Sequence, residues 1–270
     1  MSNVDKINFY LERSSLKSKM GDVEGALKEL DELLEFSPEN PIAHNNKGII
    51  KMDILNDFEG AVSEFEKAVE KEPKQAEFWF NLGLAKMNCN KLDDALDCYS
   101  KVFSCHEQVV VQDNRIFSMR FAANYNIGKI LFNLGEFGES EFYLSNAIKN
   151  NPKMHEPYTA RGLVNLAMRK YNKALGDFKK AHKLNPSKAN ENNIKNLELK
   201  LRYISIIKNA FSENELIDNG FLIDKISDMA VFVENGTGIK KFGVVFKYED
   251  AEKTYSIEFD NYIINIRLLD

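Results

Sequence analysis

Apolar and small residues recur along residues 7–188 at helical spacing, in pairs of segments separated by short polar turns. The clearest pair lies at residues 76–108, AEFWFNLGLAKMNCNKLDDALDCYSKVFSCHEQ. Leu82 and Gly83 mark the middle of its first segment. Ala95, Tyr99 and Val102 form an i, i+4, i+7 stripe on the second, as an amphipathic helix requires. Asn88–Lys91 is the turn between them. Small residues at Gly83 and Ala95 allow two helix backbones to approach, and Trp79, Leu92 and Tyr99 fill the space on either side. The spacing predicts a helical hairpin.

The hairpin recurs. The second-segment pattern reads Ala26, Leu30, Leu33, Pro38, then Ala61, Phe65, Ala68, Pro73. It returns as Ser140, Leu144, Ala147, Pro152 and as Ala174, Phe178, Ala181, Pro186. The small residue advances from 26 to 61, 95, 140 and 174, in steps of 35, 34, 45 and 34 residues. A constant stride near 34 predicts one supersecondary unit stacked repeatedly. The step of 45 is one stride plus an insertion, placed at Val109–Arg120. Its pattern is read as a lengthening of the flanking helices, with Asp113-Asn114 between them and Arg115, Phe117 and Arg120 near one rim. The first-segment glycine recurs as Gly83, Gly128 and Gly162, with Gly48 one residue out of phase and Ser14 in its place in the first unit.

The small–large–small pattern with a glycine, a tyrosine or phenylalanine, an alanine and a closing proline resembles the tetratricopeptide repeat family over residues 7–188. The resemblance implies five stacked hairpins, at 7–40, 41–74, 76–108, 121–154 and 155–188. It also implies a concave face, lined mostly by the first helices, that binds a peptide or protein. Asn46, Asn81 and Asn126 stand at equivalent places on three successive first helices. Each carboxamide offers a donor and an acceptor, and the resemblance implies a ladder clamping an extended peptide backbone. Some relatives instead hold a terminal carboxylate with lysines, an arginine and asparagines. Leu11 and Ser15 stand where the first unit of that arrangement needs a lysine and an asparagine, and Phe80 and Leu84 leave the groove apolar, so such a receptor is not expected. Phe80, Leu84, Met87, Tyr125, Phe132 and Tyr158, with Lys129 nearby, are candidates for a mixed aromatic groove; taken singly, each reads as core.

After Pro186 a strongly apolar segment, 189–211, predicts a helix sealing the last hairpin. Ser212 and Glu215 are a candidate capping box for a short helix up to Asp218. From Ala230 the period changes to two. Ala230–Glu234, Phe242–Lys247, Thr254–Phe259 and Tyr262–Leu268 predict a four-strand antiparallel meander, turning at Asn235–Gly238 and 249–253. The fold expected is mostly α: an α-α superhelix of five repeats (1–188), a capping helix (189–211) and a small acidic β-rich domain (212–270).

Charge and chemistry narrow the function. The net charge of −5 argues against a nucleic-acid partner. Residues 1–211 carry 30 basic and 29 acidic side chains, and residues 212–270 carry 6 and 12. No stretch reaches the roughly 18 apolar residues of a membrane helix, and the amino terminus lacks the pattern of a signal peptide. A cytoplasmic location is the default, with no membrane partner. Cys89, Cys98 and Cys105 fall in one unit without metal-ligand spacing, and at least two of them read as buried apolar residues. Cys105-His106 lacks an orienting partner. The glycines at 235–238 precede a strand, so the nucleotide fingerprint fails its context. No cofactor, metal or catalytic set is expected. The expected role is a non-enzymatic adaptor whose groove binds a protein or extended peptide. The alternatives are a self-assembling scaffold and an effector or enzyme working through Asp228, Glu234 or Glu258. Oligomeric state and partner identity are not written in the pattern.

Overall fold

The computed structural model describes residues 2–106, 109–112, 115–210, 226–236, 239–248, 254–260 and 263–268. It divides into two compact units, Met1–Val164 and Asn165–Asp270.

The first unit is a series of helix hairpins. The helices are α1 (Asn3–Lys19), α2 (Val23–Phe36), α3 (Pro41–Asp53), α4 (Phe58–Lys71), α5 (Ala76–Asn88), α6 (Leu92–Val102), α7 (Met119–Asn133), α8 (Phe137–Asn150) and α9 (Glu156–Ala167). Several of their starts are capped by side chains. Asp22 Oδ1 accepts from Gly25 N at 2.9 Å and Asp57 Oδ1 from Gly60 N at 3.0 Å. Asn40 Oδ1 accepts from Ala43 N at 2.9 Å, with Pro41 in the first turn, where its missing N–H leaves nothing unpaired. The turn closing each hairpin carries a left-handed residue: Gly21, Asn56, Asn90, Gly135, and Arg169 in the second unit. These are the polar turns that the hydrophobic pattern marks.

The paired helices bury the recurring stripes. Leu30, Phe65, Tyr99 and Leu144 are fully enclosed, as are Ala26, Ala61, Ala95 and Ala147. Burying one such large side chain contributes about 2 kcal/mol. Successive hairpins are also joined by a recurring hydrogen bond. Four residues before the first-helix glycine stands a ring that reaches the carbonyl of the proline six residues earlier. Trp79 Nε1 donates to Pro73 O at 2.8 Å, and the Tyr158 hydroxyl to Pro152 O at 3.3 Å. His44 Nε2 lies 3.0 Å from Pro38 O.

The expected superhelix with β structure only at its carboxy end requires correction at the insertion. The insertion does not lengthen the flanking helices; it forms an antiparallel hairpin, β1 (Val109–Gln112) and β2 (Arg115–Ser118), in register Val110↔Phe117 and Val111↔Ile116. Three consecutive valines opposite an isoleucine and a phenylalanine favour extended backbone over helix. The division between the two compact units falls inside α9.

The second unit contains α10 (Tyr171–Leu184) and α11 (Lys188–Ala210). They pack through Ala174, Phe178 and Leu197, flanked by Leu175, Tyr171 and Ile194. Lys179 and Glu198 pair across them at 2.7 Å. Strands β3 (Ile226–Gly236), β4 (Ile239–Tyr248), β5 (Thr254–Asp260) and β6 (Ile263–Leu268) form an antiparallel sheet in the order β3-β4-β5-β6, with a bulge between Ile226 and Met229. The short helix predicted at Ser212–Asp218, the turn at 249–253 and the side chains of Asp228, Glu234 and Glu258 lie outside the described residues.

Candidate functional site

The first helices of the second, third and fourth hairpins touch in turn. α3 packs beside α5, and α5 beside α7, whereas no comparable contact joins α4 to α6 among the described residues. Helices nearer on one side than on the other curve the layer toward the near side, so the α3–α5–α7 face of the first unit is its inner face.

On this face the candidate asparagines have unequal surroundings. Asn81 on α5 donates from Nδ2 to Oδ1 of Asn45 on α3 at 2.9 Å. This bond crosses from one hairpin to the next and holds both carboxamides in place. Asn46 is half-buried beside them. Asn126 on α7 is 9% exposed. Its side chain lies beside the Tyr99 hydroxyl, which is buried without a hydrogen bond of ordinary geometry. Burial pushes the Tyr99 hydroxyl well above the usual tyrosine range, and Asn126 acts in the opposite sense. The three equivalent asparagines are therefore not three equally available groups, and Asn45 is a member that the repeat spacing does not reveal.

The aromatic candidates divide likewise. Phe80 is half-buried, its ring tilted 49° against Tyr99 at 5.5 Å. Leu84 is half-buried and packs against the cluster containing Phe65, Phe78 and Leu82. Tyr125 stacks on Phe121 at 6.4 Å, and Lys129 Nζ sits 5.4 Å from the Tyr125 ring centre. Burial raises the Tyr125 hydroxyl, and Glu156 adds to the effect. Lys129 is exposed. Tyr158, by contrast, is only 8% exposed and bonded to Pro152, so its ring joins two hairpins.

The nearby lysines lean toward acids on the second helices. Lys47 pairs with Asp31, Lys51 lies 3.5 Å from Glu64, and Lys86 lies 3.4 Å from Glu66. Glu64 is buried and also meets His44 Nδ1 at 2.7 Å. Burial acts to raise the Glu64 carboxyl, but His44 and then Lys67, Lys47 and Lys51 hold it below its ordinary value. Such pairing leaves little uncompensated charge for a terminal carboxylate. Cys98 and Cys105 are buried and Cys89 is half-buried. Burial pushes the Cys98 thiol up to about 11 and also raises Cys105, the reverse of nucleophile activation. Among the described residues no group of three or more His, Cys, Asp or Glu side chains is arranged to hold a metal. No described helix is long and apolar enough to cross a membrane.

A model of the tetratricopeptide repeat family matches residues 64–97, and a second model of that family matches 121–154. Both segments are tetratricopeptide repeats. Curated proteins gave no match. Among solved structures, the chain is similar to a crystal structure of MamA protein, with 22% identity over 68% of this chain and 94% of that one, and a TM-score of 0.57. It is similar to MamA 41-end from Desulfovibrio magneticus RS-1, with 19% identity, 68% and 97% coverage, and a TM-score of 0.57. It is also similar to YrrB, described as a TPR protein with an unusual peptide-binding site, with 19% identity, 69% and 90% coverage, and a TM-score of 0.56. At these identities the likeness is one of fold.

Proposed function

We propose that the first unit is a non-enzymatic adaptor that binds an extended peptide segment of a partner protein along the α3–α5–α7 face. The observation that carries this reading is the Asn81–Asn45 hydrogen bond, which ties α5 to α3 and fixes the half-buried Asn81 carboxamide beside the half-buried Phe80 in sequence. A peptide backbone alternates donors and acceptors, and carboxamides answer both without reading sequence. Phe80 and Tyr125 supply apolar contact on either side of Asn81, and Lys129 supplies a cation at the α7 end. YrrB, which shares the fold, is itself a peptide binder by description.

Peptides selected on the wild-type protein from a random displayed library test the reading. Changing Asn46 and Asn81 together to alanine is expected to weaken the selected peptides about tenfold, the loss of one to two net hydrogen bonds. Phe80→Ala is expected to act on the same peptides. Unchanged affinity in both variants removes the reading.

Self-assembly is the second reading, favoured by apolar side chains that α1 leaves exposed: Val4 at 65%, Leu16 at 59% and Met20 at 76%. A mass above the monomer that falls to the monomer in Leu16→Lys supports it. A monomer at all concentrations rejects it.

A further inference from the structure

Where the ring-to-proline bond fails, a cavity opens. His44, Trp79 and Tyr158 lie four residues before the glycines of their first helices and face the carbonyls of Pro38, Pro73 and Pro152. In the fourth hairpin that place holds Asn124, and Ser118 stands six residues earlier instead of a proline. Asn124 Nδ2 donates within its own helix, to Arg120 O at 2.8 Å. The turn that brings the proline in elsewhere is replaced by the β1–β2 hairpin. A carboxamide in place of a large ring leaves space unfilled, and a cavity of about 370 Å³ lies there.

The wall of this cavity has a chemical sense. Arg120 and Lys149 bring two cations, and Asn124, Asn146 and Asn150 bring carboxamides. Phe103 and Tyr143 supply aromatic surface, and no acidic side chain lines it. Arg120 Nε is buried, and Lys149 is exposed. A guanidinium offers a planar fork matched to carboxylate or phosphate oxygens, and a lysine adds a point charge. The volume is at the small end of the roughly 300–1,000 Å³ of ligand sites.

We propose that this cavity, between the third and fourth hairpins, is a binding site for a small planar organic oxyanion. The oxyanion is held by Arg120 and Lys149, the flat body lies against Phe103 and Tyr143, and the asparagines read its polar edge. The site uses none of the groove asparagines and does not depend on peptide binding. The oxyanion is either a phosphate or a carboxylate, and the two are separable by titration.

Isothermal titration of the full chain with phenyl phosphate, benzoate and inorganic phosphate tests the site. One aryl ligand is expected to bind with a one-to-one stoichiometry, about tenfold more tightly than inorganic phosphate, because only it reaches the rings. Tighter binding of phenyl phosphate or of benzoate assigns the oxyanion. Asn124→Trp restores the ring that Trp79 provides in the preceding hairpin and is expected to abolish binding. Lys149 is exposed, so Lys149→Gln is expected to fold normally and to weaken binding several-fold. Absence of saturable binding by both aryl ligands overturns the proposal. So does binding that is unchanged in Lys149→Gln, whether or not the tryptophan variant folds.

Discussion

A Cβ placed on Gly83 would fall 2.9 Å from the ring of Tyr99. The same relationship recurs in its neighbours, where a Cβ on Gly48 would lie 2.6 Å from Phe65 and one on Gly128 2.6 Å from Leu144. The glycine of each first helix thus receives the large residue of the second, and the approach of the two helices depends on it. Alanine at Gly48 would gain about 1 kcal/mol of helix propensity but overpack the fully buried Phe65 ring by about 1–3 kcal/mol. Gly48→Ala is expected to lower stability in urea unfolding. Gly176 on α10, with nothing within 4 Å of its Cβ position, provides the contrast. Gly176→Ala is expected to raise stability by about 0.5–1 kcal/mol. Equal effects at the two sites would contradict this packing account.

The ring-to-proline bonds join one hairpin to the next. Tyr158→Phe removes only the hydroxyl that donates to Pro152. Its expected cost is about 1 kcal/mol, read as a lower midpoint in urea with an unchanged slope. Trp79→Phe, which loses a shorter bond and part of a ring, is expected to cost more. A Tyr158→Phe midpoint equal to that of the wild type would assign the stabilisation to ring packing alone.

Glu64 gives the first unit a defined acid sensitivity. Its carboxyl lies below the ordinary value of 4.5 in the folded chain. A depressed acid stabilises the fold fully above the unfolded-state value and loses that contribution as pH falls through the folded one. The stability difference between the wild type and Glu64→Gln is expected to be widest near neutrality and to close below about pH 4.5. Thermal melts across this range measure it. A difference that stays constant down to about pH 3 would mean that Glu64 contributes by shape and not by charge.

Cys98 is 4% exposed, its thiol raised to about 11 by burial. In the native protein at pH 8, near the ordinary thiol range, a disulfide reagent is expected to leave Cys98 unmodified and to react first at Cys89. Addition of denaturant is expected to expose all three thiols. Rapid native labelling of Cys98, identified by peptide mapping, would contradict its burial.

Much of the helical layer was legible because its signal is local. The stripes Ala95–Tyr99–Val102 and Ala61–Phe65–Ala68 repeat with the helical period, and the turns at Gly21, Asn56, Asn90 and Gly135 are the polar breaks between them. Asp22 caps α2 through Gly25, three residues on, which is equally local. The insertion was misread because Val109–Val111 is compatible with a buried helix or a strand, and only pairing with Arg115–Ser118 decides between them. The candidate groove was legible as positions but not as partners. The spacing aligns Asn46, Asn81 and Asn126, yet nothing in it indicates that Asn81 is bonded to Asn45 or that Asn126 lies against Tyr99.

The substitution of Asn124 for a ring was also present in the repeat alignment, as His44, Trp79, Asn124 and Tyr158 in equivalent places. Its consequence was not, because a void is a property of what the neighbouring helices fail to fill. The order of residues settles which segments become helices and which faces they bury, since both follow from a period of 3.6 acting within a few turns. Which carboxamides meet, where a cavity opens and where the chain divides depend on contacts between segments some 20 or more residues apart, and these exist only after the helices are packed.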